Sequence, residues 1–367
     1  MTRAPKPLRF HWRLPLAGEE GSAPGGPGVP QEAAALPDWP AHVAFCRLAE
    51  RHGIDSLLMA CGFYMPDPIP LVAALGTVTE RLRFLLAYRS GLISPAAFVQ
   101  QVNTLAALSG GRLSLNMVIG HSEPEQRGYG DLLTHDERYA RADEFLAVCR
   151  AFWAGDGPVD FAGRHYRIEG GRLGTPFVAS AVDAAAGRRA PEIYLGGGSP
   201  PARDLALKHA DCWLRLGGTP EEVGAEAAPL LARGIAVGVR LSLVVRPTRR
   251  EAVEAAYALA AGGDAGWVRE VFGRGSDSVS IQATLSQRAS RDAYWRTPYL
   301  WTGAVATRGA SAVCLVGSPD EVAAAILEYR RAGVTQLIFS GWPNAEALAG
   351  FGDEVLPRVR ALESAAA

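Results

Sequence analysis

Eight short apolar runs alternate with amphipathic helical stretches along this chain, and no other feature narrows its fold as far. The runs lie at 7–16, 55–61, 82–89, 112–119, 192–198, 211–216, 237–246 and 335–340. Helical spacing of apolar residues predicts helices at 41–52, 67–79, 95–109, 137–153, 200–209, 219–233, 248–261, 318–332 and 344–364. Strands that alternate with helices build a parallel sheet from βα units. A length of 367 residues would by itself allow two domains. The alternation runs without a break in composition, so the pattern predicts a single α/β domain over 1–367, a (β/α)8 TIM barrel.

Helix boundaries carry their own signals. Ser94-Pro95 provides an N-cap and a proline at the first helical position. Phe98, Val99, Val102, Leu105 and Ala106 then recur at helical spacing until Gly110-Gly111 stops the run. Thr134-His135-Asp136-Glu137 is a capping box, opening a helix with Ala142, Phe145, Leu146, Cys149, Phe152 and Trp153 as its buried stripe. Three segments exceed a minimal barrel, as insertions after strands one, four and seven. Residues 17–40 form a long Gly/Pro/Ala-rich loop at the mouth, and residues 154–191 hold a hairpin pairing 159–161 with 166–168. Residues 262–312 are the longest excursion, and an excursion of that length is read as a lid.

Composition excludes several functions. The 37 basic residues are offset by 38 acidic ones, which argues against nucleic-acid binding by bulk electrostatics. No stretch reaches the roughly 18 apolar residues of a membrane span, and Met1 to Pro7 lacks the apolar core of a signal peptide. The expectation is a cytoplasmic protein. The five cysteines form no CxxC pair and the seven histidines no HxxxH or HxH motif, so no metal site is expected.

Residues on alternating faces of the strands nominate the chemistry. On strand four, Leu113, Leu115, Met117 and Ile119 face the helices, leaving Asn116 in the lumen near the C-terminal mouth. On strand seven, Val239, Leu241, Leu243 and Val245 face outward, while Arg240 and Ser242 face inward. A lumen arginine needs an anion or a carboxylate; the alternative for Arg240 is an internal salt bridge. On strand one, Arg9, His11 and Arg13 share a face, with Arg9 reaching solvent at the bottom and His11 and Arg13 near the mouth. A partly exposed first strand explains that face equally well. Tyr194 to Pro201 reads as a strand ending in three glycines, a capping serine and helix-initiating prolines. Free N–H groups, a hydroxyl and a helix N-terminus converge there as an anion site, although a structural glycine turn has the same signature.

Several stretches carry a resemblance. They are Thr79 to Arg89 followed by Ser94-Pro95, Leu108 to Gly120, His135 to Tyr139 with Glu144-Phe145, and Gly196 to Ser199. Near the C-terminus stand Leu300 to Gly303, Arg308 to Ala310, Leu315 to Gly317 and Ser340 to Pro343. In order and spacing these resemble the bacterial luciferase-like flavin-dependent monooxygenases, and within them the alkanesulfonate monooxygenase branch. The resemblance implies reduced FMN, supplied by a separate flavin reductase, reacting with O2 at the barrel mouth to oxygenate a small-molecule substrate. It implies that Gly198 and Ser199 meet the FMN phosphate with Tyr139 and His121, that Asn116 contacts the ring edge, and that Arg89 lies near the ring. It also implies a homodimer or homotetramer.

The substrate side departs from that branch. Its cysteine after strand two falls within Gly62 to Pro66, which has none, and its strand-seven histidine falls at Ser242. Its tyrosine and histidine after strand eight fall at Trp342 and Asn344, its first-strand histidine at Ala17, and its strand-six tryptophan at Leu216. Arg240 and Arg308 are kept, and two guanidinium forks suit a sulfonate-, carboxylate- or phosphonate-like substrate; the alternative for Arg308 is a solvated loop residue. His11 is the histidine nominated to move a proton, with Ser242 and Trp342 completing the catalytic set. Two other functions share the fold: deazaflavin-dependent hydride transfer, and flavin binding without catalysis.

Overall fold

A computed structural model describes residues 7–15, 37–63, 65–270, 276–286 and 294–365. Its centre is a closed barrel of eight parallel strands. We label them β1 (Arg9–Arg13), β2 (Ser56–Met59), β3 (Arg83–Arg89), β4 (Leu113–Val118), β5 (Glu192–Gly196), β6 (Cys212–Leu216), β7 (Ala236–Arg240) and β8 (Val334–Phe339). Neighbours in sequence are neighbours in the barrel, and β8 closes it against β1, with His11 level with Ile338. Each strand falls within or within one residue of its expected run. The TIM-barrel expectation therefore holds, and the α/β alternation is its cause.

The helices begin where short polar side chains can cap them. Ser94, Ser199, Thr219, Thr248 and Ser318 each accept a backbone N–H of the first turn, and four of these five precede a proline in that turn. Thr134 and Glu137 form the capping box of the 20-residue helix His135–Ala154. The last helix differs from the expected 344–364 run, because Asn344–Gly350 and Leu356–Ala365 are joined by a wider π turn at Phe351–Val355. The hairpin after β4 pairs Val159–Ala162 with Arg167–Gly171. Most of the 17–40 loop, Ala17 included, lies outside the described residues.

One strand is corrected. The run at 237–246 is not continuous in the barrel: it breaks at Leu241, and Ser242–Val245 joins a separate three-stranded sheet with Cys314–Gly317 and Leu300–Trp301. The cause is a second long-range partner. Ser242 N donates to Val313 O at 2.8 Å, while Leu243 N still reaches Ser340 O at 2.8 Å just past the end of β8. This sheet buries Val244, Cys314, Val316 and Trp301 against Ala252 and Ala256 of helix Arg249–Ala261.

Side chains from β3, β5, β6 and β8 fill the lumen, where Leu85, Tyr194, Cys212 and Ile338 pack together. Below them lies a closed polar floor. Arg9 pairs with Glu192 at 2.8 Å, and the Tyr194 hydroxyl reaches Glu192 at 3.0 Å and Gln336. The strand ends above this plug are free to build a site.

Candidate active site

The C-terminal ends of all eight strands, or the loops following them, line one cavity of about 2020 Å³. That exceeds the roughly 300–1,000 Å³ typical of small-ligand pockets, leaving room for a large ligand and a second molecule beside it. Asn116, His121, Tyr139, Gly198, Ser199, Arg89, Arg240, Arg308 and Trp342 all line it. Of the nominated residues, His11 and Ser242 are not among its lining.

At the end of β5 the glycine run is required sterically. Gly197 has φ +127°, and a Cβ there would stand 2.7 Å from Ala202 Cβ and 3.3 Å from the Tyr139 hydroxyl. The close approach brings Ser199 over the start of helix Pro200–His209, where its Oγ accepts Ala202 N at 3.4 Å. Tyr139 hydrogen-bonds Ser199, and burial raises the Tyr139 pKa, so the phenol stays protonated at neutral pH. Trp213 Nε1 donates to Gly197 O at 3.1 Å and holds the turn from below. The Tyr139–Ser199 hydroxyl pair therefore stands at the N-terminus of a ten-residue helix, whose dipole favours an anion there. His121 sits on the loop after β4, and burial lowers its pKa, favouring the neutral ring.

Asn116 lies on β4 opposite Ala87 and Tyr194. Arg89, at the end of β3, is 4% exposed and pairs with Glu125 at 2.7 Å. Its guanidinium also lies 5.3 Å from the Tyr129 ring centroid, yet its Nε and Nη1 find no acceptor among the described residues. Arg89 is thus anchored on one edge and unsatisfied on the other.

Arg240 is a lumen cation without an ion-pair partner among the described residues. It donates to Ser340 Oγ at 2.7 Å, to Ile338 O at 3.4 Å and to Leu241 O. Burial and the neighbouring Arg13 push its pKa down to about 9. Among the described residues no carboxylate pairs with Arg240. Ser242 is corrected from a lining role: it is fully buried, bonds Ser311 O at 2.8 Å and Ser340 Oγ at 3.0 Å, and acts on Arg240 only through Ser340. Arg308 donates to Leu259 O and Gly262 O, each at 3.2 Å, and lies 5.7 Å from the centre of the Trp342 ring.

His11 is also corrected. It lies a full lumen layer below Arg13, with Nδ1 at 2.5 Å from Ser56 Oγ and Nε2 at 2.8 Å from Gln336 Oε1. Both ring nitrogens are engaged, and burial together with Arg9 pushes its pKa down to about 3. The imidazole is fully buried in the floor and does not line the cavity.

Several lining residues escaped the sequence reading. His42 opens an i, i+3, i+4, i+7 buried stripe with Phe45, Cys46 and Ala49 on helix Trp39–Arg51, and its Nε2 meets Pro15 O at 2.9 Å. A polar residue in that stripe was its available signal. Asp277 and Ser280 come from the long excursion, where no periodicity marked them. Cys61 lines the cavity while the other four cysteines are buried in packing.

Fold and site together define a TIM barrel with one large cavity at its C-terminal rim. The chain belongs to the luciferase-like monooxygenase family, whose profile matches residues 10–336. Its structure is similar to riboflavin lyase (RcaE) with modified FMN and substrate riboflavin, at TM-score 0.75 and 19% identity over 97% of this chain and 92% of that one. It is similar to EDTA monooxygenase (EmoA) from Chelativorans sp. BNC1, at TM-score 0.73 and 19% identity over 97% and 94%. An F420-dependent secondary alcohol dehydrogenase in complex with an F420-acetone adduct shares the fold at TM-score 0.66 and 16% identity over 97% and 100%. At these identities the likeness is one of fold.

Proposed function

We propose that this chain is a two-component, FMN-dependent monooxygenase that oxygenates a small organic substrate bearing a sulfonate- or carboxylate-like anion. One observation carries the reading: a single cavity joins a candidate anion cradle at Gly197–Ser199 to an arginine, Arg240, that no carboxylate among the described residues neutralises. The residues present fit FMN. Gly198 and Ser199, with Tyr139 and His121, would hold the phosphate; Asn116 and the open edge of Arg89 would meet the ring. Reduced FMN, delivered by a separate reductase, would supply the electrons with which O2 is divided between substrate and water.

The chain's own residues bind, orient and shield. Arg240 would fix the substrate anion while Ser340, held by Ser242, keeps the guanidinium aimed. Arg308, stacked near Trp342, would contribute a second cation, and the 262–312 excursion would act as the lid that limits water entry. Little acid–base work falls to histidine, because His11 is locked away. The substrate-side departures within Gly62 to Pro66 and at Ala17, Leu216, Ser242, Trp342 and Asn344 distance the reading from simple alkanesulfonate cleavage.

The shared fold with an F420-dependent enzyme supports a second reading, hydride transfer with a deazaflavin, which needs no O2. Turnover under 18O2 separates the two. With reduced FMN and a panel of organic sulfonates and carboxylates, one 18O atom per product is expected. Product formed without O2, with F420 in place of FMN, would establish the second reading instead.

A further inference from the structure

The excursion after β7 touches the anion cradle at several independent points. Asp277 N donates to His121 O at 2.9 Å, and Ser276 bridges Ser122 in the same loop. The Asp277 carboxylate pairs with Arg138, which is 1% exposed and adjoins Tyr139. Ser280 Oγ stands 3.2 Å from the position a Cβ on Gly198 would occupy. Each contact therefore falls on, or beside, a residue assigned to the phosphate. No equivalent contact ties 276–280 to Arg240 or Trp342 among the hydrogen bonds of the described residues.

The local chain explains why Ser280 points there. Ser278 Oγ accepts Ile281 N at 3.3 Å, so helix Val279–Ser286 begins just before Ser280. Thr284 Oγ1 donates to Ser280 O at 2.8 Å, which fixes the backbone and leaves the Ser280 hydroxyl for the cradle. Gly198 is the matching concession, since any side chain would crowd that hydroxyl. Asp277, the acidic group nearby, spends its charge on Arg138 rather than opposing an anion.

We infer that Ser280 is a further phosphate ligand, and that the phosphate, rather than the flavin ring or the substrate, fastens the 276–286 segment over the cavity. This rests on the FMN reading above. A hydroxyl bonded to a phosphate oxygen is a charge-assisted contact, and loss of one weakens binding about tenfold. Segment docking and phosphate binding share a residue, so each strengthens the other to the same degree.

The full chain is titrated with oxidised FMN and with riboflavin, which lacks the phosphate, and digested with trypsin, for which Arg269 is an exposed site. FMN is expected to slow cleavage at Arg269 at least fivefold, inorganic phosphate to slow it partly, and riboflavin to leave it unchanged. Ser280→Ala should weaken FMN about tenfold with riboflavin affinity unaltered, and Ser280→Thr should restore it. Wild-type FMN affinity in Ser280→Ala, or equal protection by riboflavin, would overturn the inference while leaving the FMN reading intact. If the wild-type chain binds neither flavin, both fall.

Discussion

Replacing Arg240 with methionine separates a binding cation from a structural one. The side chain makes three hydrogen bonds to neutral oxygens of Leu241, Ile338 and Ser340. At about 1.5 kcal/mol each for a charged donor, they offset roughly 4–5 kcal/mol of a desolvation cost that runs to several kcal/mol for an unpaired buried ion. Methionine retains the apolar stem and removes the charge. Stability measured by urea unfolding should therefore stay level or rise, by about 0–2 kcal/mol. Affinity for a small anion should move the other way. Losing the partner of a buried charge costs about 2–3 kcal/mol, or roughly 30- to 150-fold in Kd. Calorimetric titration with methanesulfonate and acetate reads that loss directly. A destabilisation above about 2 kcal/mol, or anion affinity within twofold of wild type, would refute the reasoning.

Other outcomes follow from the same geometry. His11 has a folded pKa near 3 against an ordinary value of 6.5, so the unfolded chain takes up a proton first as the pH falls. Its contribution is complete above about pH 6.5 and is lost toward pH 3, at about 1.4 kcal/mol per pH unit. His11→Gln should flatten the urea-unfolding stability between pH 6.5 and 5 by about 2 kcal/mol, and an unchanged slope would contradict the floor assignment. Tyr139→Phe removes the partner of Ser199 and should weaken FMN about five- to tenfold, with thermal stability nearly unchanged; equal FMN affinity would remove Tyr139 from the cradle.

Much of this architecture was legible because its signals are local. Proline after a capping Ser or Thr set the helix starts, and two-residue alternation separated lumen from helix-facing positions on each strand. Asn116 and Arg240 were found in this way. Depth within the barrel was not legible, since it depends on interstrand register. His11 shares a face with Arg13, yet pairing with Ile338 places it in the floor beside Gln336. The break at Leu241 was hidden for a similar reason: Ser242–Val245 continues the apolar pattern, and only its distant partner Cys314–Gly317 takes it out of the barrel. Ser280 and Asp277 lie in the excursion, where contacts with Gly198 and Arg138 join positions far apart in sequence.

The proposed function turns on what the rim beside Ser199 holds. Anaerobic titration of the purified chain with reduced FMN, reduced F420 and reduced riboflavin measures this in one experiment. Reduced FMN is expected to bind one per chain and at least tenfold more tightly than reduced riboflavin, the difference arising at the phosphate. Equal affinity for the two flavins, or binding of F420 alone, would contradict it.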